Sequence, residues 1–129
     1  MMVADTSAIM AILMDEDEGP AFYAAMWNDG EVLVSTATAV ELMIVAMGKQ
    51  EPIYQAAVRF LERPFIRSVP FDVEQLWLAT AAHRRYGKGR DRAGLNFGDT
   101  FAYALASARG LPLLYKGGDF ARTDITAAV

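Results

Sequence analysis

Three carboxylates stand alone in otherwise uncharged stretches of this chain. Asp5 is the only charged residue between Met1 and Met14, Glu41 the only one between Val32 and Gly48, and Asp99 the only one between Ala93 and Ala108. Such apolar surroundings put each acid at or near the core, where an unpaired carboxylate is expensive. No Lys or Arg within those stretches can neutralise them. Oxygen-only ligands of this kind suit a hard divalent cation, Mg²⁺ or Mn²⁺. A fourth acid, Asp119, follows Lys116-Gly117-Gly118 near the end of the sequence. Each acid also has a purely structural reading. Asp5-Thr6-Ser7 can cap a helix, and Thr38-Ala39-Val40-Glu41 matches the capping-box pattern. Asp99 sits where an N-cap belongs, and Asp119 lies in a glycine turn where Asp is common.

The elements that must position these acids show as alternating short and long apolar segments. Met1–Ala4 is a short apolar run, and helical spacing begins at Ile9, Ile12 and Leu13. That helix gives out at Asp15-Glu16-Asp17-Glu18-Gly19, which reads as a solvated turn. Pro20 suits the start of a second helix reaching about Trp27. Val32–Ser35 reads as a buried strand, followed by a helix from about Thr38 to Met47 that Gly48 ends. Ile53, Ala56, Ala57, Phe60 and Leu61 form a further helical stripe. Phe65–Val69 is β-like, and Asp72 caps a helix to about Tyr86. Gly87–Asn96 is a polar loop, Asp99–Arg109 a helix stopped by Gly110, and Leu111–Tyr115 a last strand.

Short strands alternating with helices predict an α/β fold with a parallel sheet, whose ligand site lies beyond the carboxyl ends of the strands. Asp5, the Ser35–Glu41 stretch and Asp119 all follow predicted strands closely, so one sheet edge can gather the acids. At about 5 Å, each pair would repel by about 3 kcal/mol in an effective dielectric of about 20. A cluster that tight needs cations or protons.

Composition narrows the chemistry further. A chain of 129 residues is sized for one domain, here 1–129. With 0 Cys, disulfides, thiolate metal sites and cysteine nucleophiles are excluded, and 1 His excludes a His-rich site. No apolar run is long enough for a membrane span, and no basic stretch precedes the first apolar segment. A cytoplasmic protein with no membrane partner is therefore expected. The formal net charge of -4 means that any polyanionic ligand must be met by local positive charge or by metal.

At VADTSAIMAIL, STATAVELMIV, RYGKGRDRAGLNFGDTFAYALA and LPLLYKGGDFARTDI the sequence resembles the PIN domain, and within it the VapC toxins of VapBC toxin–antitoxin pairs. The resemblance covers nearly the whole chain. It implies a three-layer α/β/α sandwich with a central, mostly parallel sheet and an acidic cluster that binds Mg²⁺ or Mn²⁺. The family's first Asp falls on Asp5, its helical Glu on Glu41, its GD acid on Asp99 and its last acid on Asp119. Hydroxyls following the first Asp are Thr6 and Ser7, which the resemblance casts as orienting a water or a phosphate oxygen. Relatives often carry Asn or Asp at the position of Gly118, and Asp124 is a second candidate for the fourth acid.

The activity implied is metal-dependent endoribonuclease action on single-stranded or loop RNA. The partners implied are a VapB-type antitoxin and a second copy of the chain, as a homodimer. A non-catalytic PIN domain that only binds RNA or protein is the alternative. The haloacid dehalogenase and receiver-domain patterns each lack a required Asp here. Arg84, Arg85, Lys88, Arg90 and Arg92, five of the 12 basic residues, precede Asn96 with Tyr86 among them. They read either as an RNA-tracking surface with a stacking aromatic or as a solvated helix end. His83 reads as a surface or packing residue, and Phe22, Tyr23 and Trp27 as core or dimer contacts.

Overall fold

The four strands are β1 (Met2–Ala4), β2 (Val32–Ser35), β3 (Ile66–Val69) and β4 (Leu113–Leu114). In the computed structural model, which describes residues 1–129, they form one parallel sheet in the order β3-β2-β1-β4. Six helices cover it: α1 (Thr6–Leu13), α2 (Gly19–Asp29), α3 (Thr36–Met47), α4 (Glu51–Leu61), α5 (Val73–Tyr86) and α6 (Phe97–Arg109). A 3₁₀ turn spans Phe120–Arg122.

Strand alternation sorts the core into two layers. Met2, Ala4, Val32, Val34 and Leu114 pack with Ile9, Met26, Leu42 and Phe60 of α1 to α4. Val3, Leu33 and Leu113 point the other way, toward Ala82, Ala102 and Leu105 of α5 and α6. A sheet buried on both faces explains why the strands read as unbroken apolar runs. The result is the expected three-layer α/β/α sandwich. No helix is long and apolar enough to cross a membrane.

Several boundaries differ from the sequence reading, each for a local reason. α1 begins at Thr6 rather than Ile9, because Asp5 is extended and caps it by accepting the Ser7 N–H. α3 begins at Thr36, capped by the Ser35 hydroxyl, so Thr38 to Glu41 is helix interior and not a capping box. α6 begins at Phe97 with Asn96 as its N-cap. Asp99 is the third residue of that helix and closes a capping box with Asn96. The last strand shrinks to two residues, and its other edge is met by the chain end: Leu113 N donates to Thr126 O at 2.9 Å, and Ala128 N to Leu113 O at 2.9 Å.

The chain winds from β1 through β2 to β3, then returns to the far side of β1 with β4. The switch in winding direction therefore lies between β1 and β4, the place where open α/β sheets bind ligands. Asp5 N donates to Leu114 O at 3.0 Å across that seam.

Candidate active site

Asp5 leaves β1 at the seam and is 3% exposed. Its Oδ2 accepts both the Ser7 N–H at 3.0 Å and the Ser7 hydroxyl at 2.6 Å. The same hydroxyl accepts the Lys116 backbone N–H at 3.0 Å, which ties the loop after β4 to this carboxylate. Oδ1 is buried and has no hydrogen-bond partner. Burial pushes the Asp5 carboxyl up to about 6; the Ser7 hydrogen bonds pull against it and the charge of Glu41 adds to it.

Glu41 reaches the same corner from α3. Its Oε1 accepts the Thr6 hydroxyl at 2.5 Å. The carboxylate lies so close to Gly98 that any Cβ there would overlap it. Glycine in a helix costs about 1 kcal/mol relative to alanine, and this close approach is what requires it. Gly98 is thus a site residue for which the sequence reading supplied no role. The signal was present, since a glycine in the first turn of an otherwise apolar helix marks a close approach.

Asp99 is half-buried at the start of α6. Its Oδ2 accepts the Asn96 N–H at 3.0 Å while Asn96 Oδ1 accepts the Asp99 N–H at 2.9 Å. Burial pushes the Asp99 carboxyl up to about 7; the Asn96 N–H opposes this, and the charges of Asp5, Asp119 and Glu41 push it further. The four acids of the sequence reading are therefore electrostatic neighbours. They are looser than the tight cluster it expected, because no three carboxylates converge closely enough to enclose an ion by themselves. Local donors hold the three inner ones instead: Ser7 on Asp5, Thr6 on Glu41 and Asn96 on Asp99.

This arrangement fits a hard divalent cation in a specific way. Mg²⁺ keeps several waters and uses one or two carboxylates together with substrate phosphates, so it needs no closed protein cage. The orphaned Oδ1 of Asp5 is an all-but-buried anionic oxygen left free while its twin is fully engaged.

Thr6 and Ser7 donate their hydroxyl hydrogens to Glu41 and Asp5 and so orient those two carboxylates. Asp124 is engaged elsewhere: Oδ1 accepts the Tyr103 hydroxyl at 2.5 Å, and Oδ2 lies 3.8 Å from Arg85 Nη1. Asp119 is exposed, makes no side-chain cap bond, and its charge reaches Asp99.

Tyr86 is only 7% exposed and packs on Tyr103, with the Arg85 guanidinium 4.8 Å from its ring centre, so its face cannot stack on a base. Arg84, Arg85, Lys88, Arg90 and Arg92 are all exposed. Asn96 spends its side-chain oxygen on the α6 cap. Of the three aromatics offered as core or dimer contacts, Phe22 is buried, Tyr23 half-buried and Trp27 exposed.

Residues 2–125 match the PIN domain family. Over 127 residues the chain is 45% identical to a ribonuclease VapC of Mycolicibacterium smegmatis, covering 98% of each. Its backbone follows that of Mycobacterium tuberculosis VapC20, a sarcin-ricin loop cleaving toxin, with a TM-score of 0.77 at 16% identity over 98% of this chain and 97% of that one. A toxin–antitoxin complex from Klebsiella pneumoniae is similar at a TM-score of 0.70 and 16% identity, over 96% of this chain and 93% of that one. With a family match over nearly its full length and a relative this close, the chain belongs to the PIN-domain family, among its VapC ribonucleases.

Proposed function

We propose that this protein is the ribonuclease toxin of a toxin–antitoxin pair and hydrolyses RNA phosphodiester bonds with Mg²⁺ or Mn²⁺ at the corner of Asp5, Glu41 and Asp99. The observation that carries this reading is the buried, unpartnered Oδ1 of Asp5, beside Asp99, which is itself buried and feels the charges of Asp5, Asp119 and Glu41. Asp5 and Asp99 would hold the principal ion, with Glu41 and Asp119 completing its shell or bridging a second position. A bound divalent cation supplies a Lewis acid that eases loss of a proton from water and offsets phosphate charge.

The remaining work falls to the chain's own side chains. Ser7 engages Oδ2 of Asp5 and leaves Oδ1 as the oxygen that would hold a cation. Thr6 holds Glu41 in the space that Gly98 leaves open, and Asn96 fixes Asp99. The exposed Arg84, Lys88, Arg90 and Arg92 meet the phosphates flanking the cut, which answers the net charge of -4. No protein nucleophile is required, in keeping with 0 Cys.

A VapB-type antitoxin is the natural inhibitor, and an arginine from it would satisfy these carboxylates. The similarity to a toxin–antitoxin complex supports that partner. Two separate apolar surfaces, Trp27 with Tyr23 on α2 and Val40, Ile44 and Met47 on α3, suit two protein partners, an antitoxin and a second copy of the chain.

The test is cleavage of pooled cellular RNA by purified protein in Mg²⁺ or Mn²⁺, in EDTA, and by Asp5→Asn. Cleavage should need the cation and the acid. A folded protein that binds RNA and never cuts it would leave only the binding-module reading.

A further inference from the structure

An apolar groove of about 660 Å³ runs between α5 and α6, lined by Phe71, Leu76, Ala79, Phe97 and Phe101, with Ala37 of α3 at one end. Its volume falls in the roughly 300–1,000 Å³ range of small-ligand sites. The groove adjoins the carboxylate corner. Phe97 opens α6 two residues before Asp99, and Ala37 lies about one helical turn before Glu41.

Phe97 is 78% exposed, the most exposed large apolar side chain of the protein. Its ring is nonetheless supported from behind. Phe101 packs edge-on against it at 4.7 Å, and Phe71 against Phe101 at 5.3 Å. The Thr100 hydroxyl donates to Phe97 O at 2.6 Å and fixes the backbone beneath the ring. Polar groups are few and belong to Thr80, His83 and Thr100. From His83 the exposed cations continue through Arg84 to Lys88.

We propose that Phe97 is the platform on which an unpaired nucleobase beside the scissile phosphate stacks, a specificity-determining contact of the site. This rests on the ribonuclease reading above. A rigid aromatic face, a row of cations for the backbone and a nearby catalytic corner are what single-stranded RNA recognition combines. A base within a duplex has no free face to offer, so the platform selects unpaired RNA. A second copy of the chain is the competing occupant. It would bury the whole ring against its own apolar surface, so trimming Phe97 to Leu would loosen the dimer.

The experiment compares wild type, Phe97→Leu and Phe97→Tyr. Each is mixed in EDTA with a single-stranded oligoribonucleotide containing 2-aminopurine and with the same sequence as a duplex; sedimentation of each protein is recorded in parallel. Wild type and Phe97→Tyr should quench the reporter. Phe97→Leu should lose the quenching and bind the single strand roughly tenfold more weakly, with its binding to the duplex and its sedimentation unchanged. Quenching and affinity kept in Phe97→Leu would overturn the platform. So would a wild-type dimer that falls apart in Phe97→Leu, since the face would then belong to a second copy. Cleavage of pooled RNA by wild type in Mg²⁺ is measured alongside. Its absence counts against the ribonuclease reading, whereas cleavage with an indifferent Phe97→Leu counts against the platform alone.

Discussion

Between Asp15 and Glu18 four acids follow one another without interruption, and the fold leaves them in a turn open to solvent with the ammonium of Lys116 across it. Its Nζ lies 2.7 Å from Glu16 and 3.4 Å from Glu18. Asp5, Glu41 and Asp99 come from distant parts of the sequence and have no cationic side chain within salt-bridge distance. Two of them have carboxyls pushed up to about 6 and about 7. Electrostatic tension in this molecule therefore follows burial and the lack of a counter-charge, not the number of acids in a row. The crowded run has solvent and an ammonium to answer it, whereas Asp5 and Asp99 have neither a cation nor full access to water.

Substitutions can break this contrast. The largest effect is expected from Asp5→Asn or Asp99→Asn, which should lower cation-dependent RNA cleavage by more than about 100-fold, beyond the usual effect of an outer-shell change. A gel assay at saturating Mg²⁺ reads it, and cleavage at the wild-type rate would remove that residue from the site. Next come Gly98→Ala, whose Cβ takes the place of the Glu41 carboxylate, and Thr6→Val, which removes its hydroxyl donor. Each should weaken Mg²⁺ affinity about 10- to 100-fold, visible as a rightward shift of the Mg²⁺ titration of cleavage.

The effect on stability runs in the opposite direction. Folded Asp5 and Asp99 hold their protons to higher pH than an unfolded carboxyl of 3.8, so each costs the ion-free protein stability as pH rises from about 4 to about 6 or 7. Moving Asp5 from 3.8 to about 6 corresponds to about 3 kcal/mol. Denaturation of Asp5→Asn in EDTA should show a gain over wild type that is absent near pH 4 and grows to that order above pH 6. In wild type, Mg²⁺ at pH 8 should raise Tm, and in Asp5→Asn it should not. A gain that shrinks with rising pH would contradict the burial of Asp5. Smallest of all, Glu16→Gln at the solvated run should leave Tm and cleavage rate within experimental scatter, since exposed ion pairs contribute little.

The isolation of the three acids was readable in the sequence because it is a property of composition along the chain. So were the strand–helix alternation and the parallel sheet, since strands buried on both faces are apolar throughout. The helix starts were less so. Thr38 to Glu41 has the spacing of a capping box, but Ser35 sits at the end of β2 and takes the cap first. Tyr86 looked available for stacking among arginines, and only tertiary packing against Tyr103 buries it. That Asp124 is engaged by the hydroxyl of Tyr103, 21 positions away, and Asp119 is not, is likewise visible only in the folded chain. Gly98 and Phe97 gain their meaning from groups brought over by α3 and α5, which no local pattern reveals.

The placement of β1 between β2 and β4 bears on how the protein is made. A nascent chain extended through Arg109 already contains Asp5, Glu41 and Asp99. It still lacks the strand that closes the seam beside Asp5 and the Lys116 amide that steadies Ser7. Pairings between segments so distant in the chain form late. The corner proposed as the catalytic centre is thus completed only once β4 is in place, and a ribosome releasing the chain early would deliver a fragment without teeth.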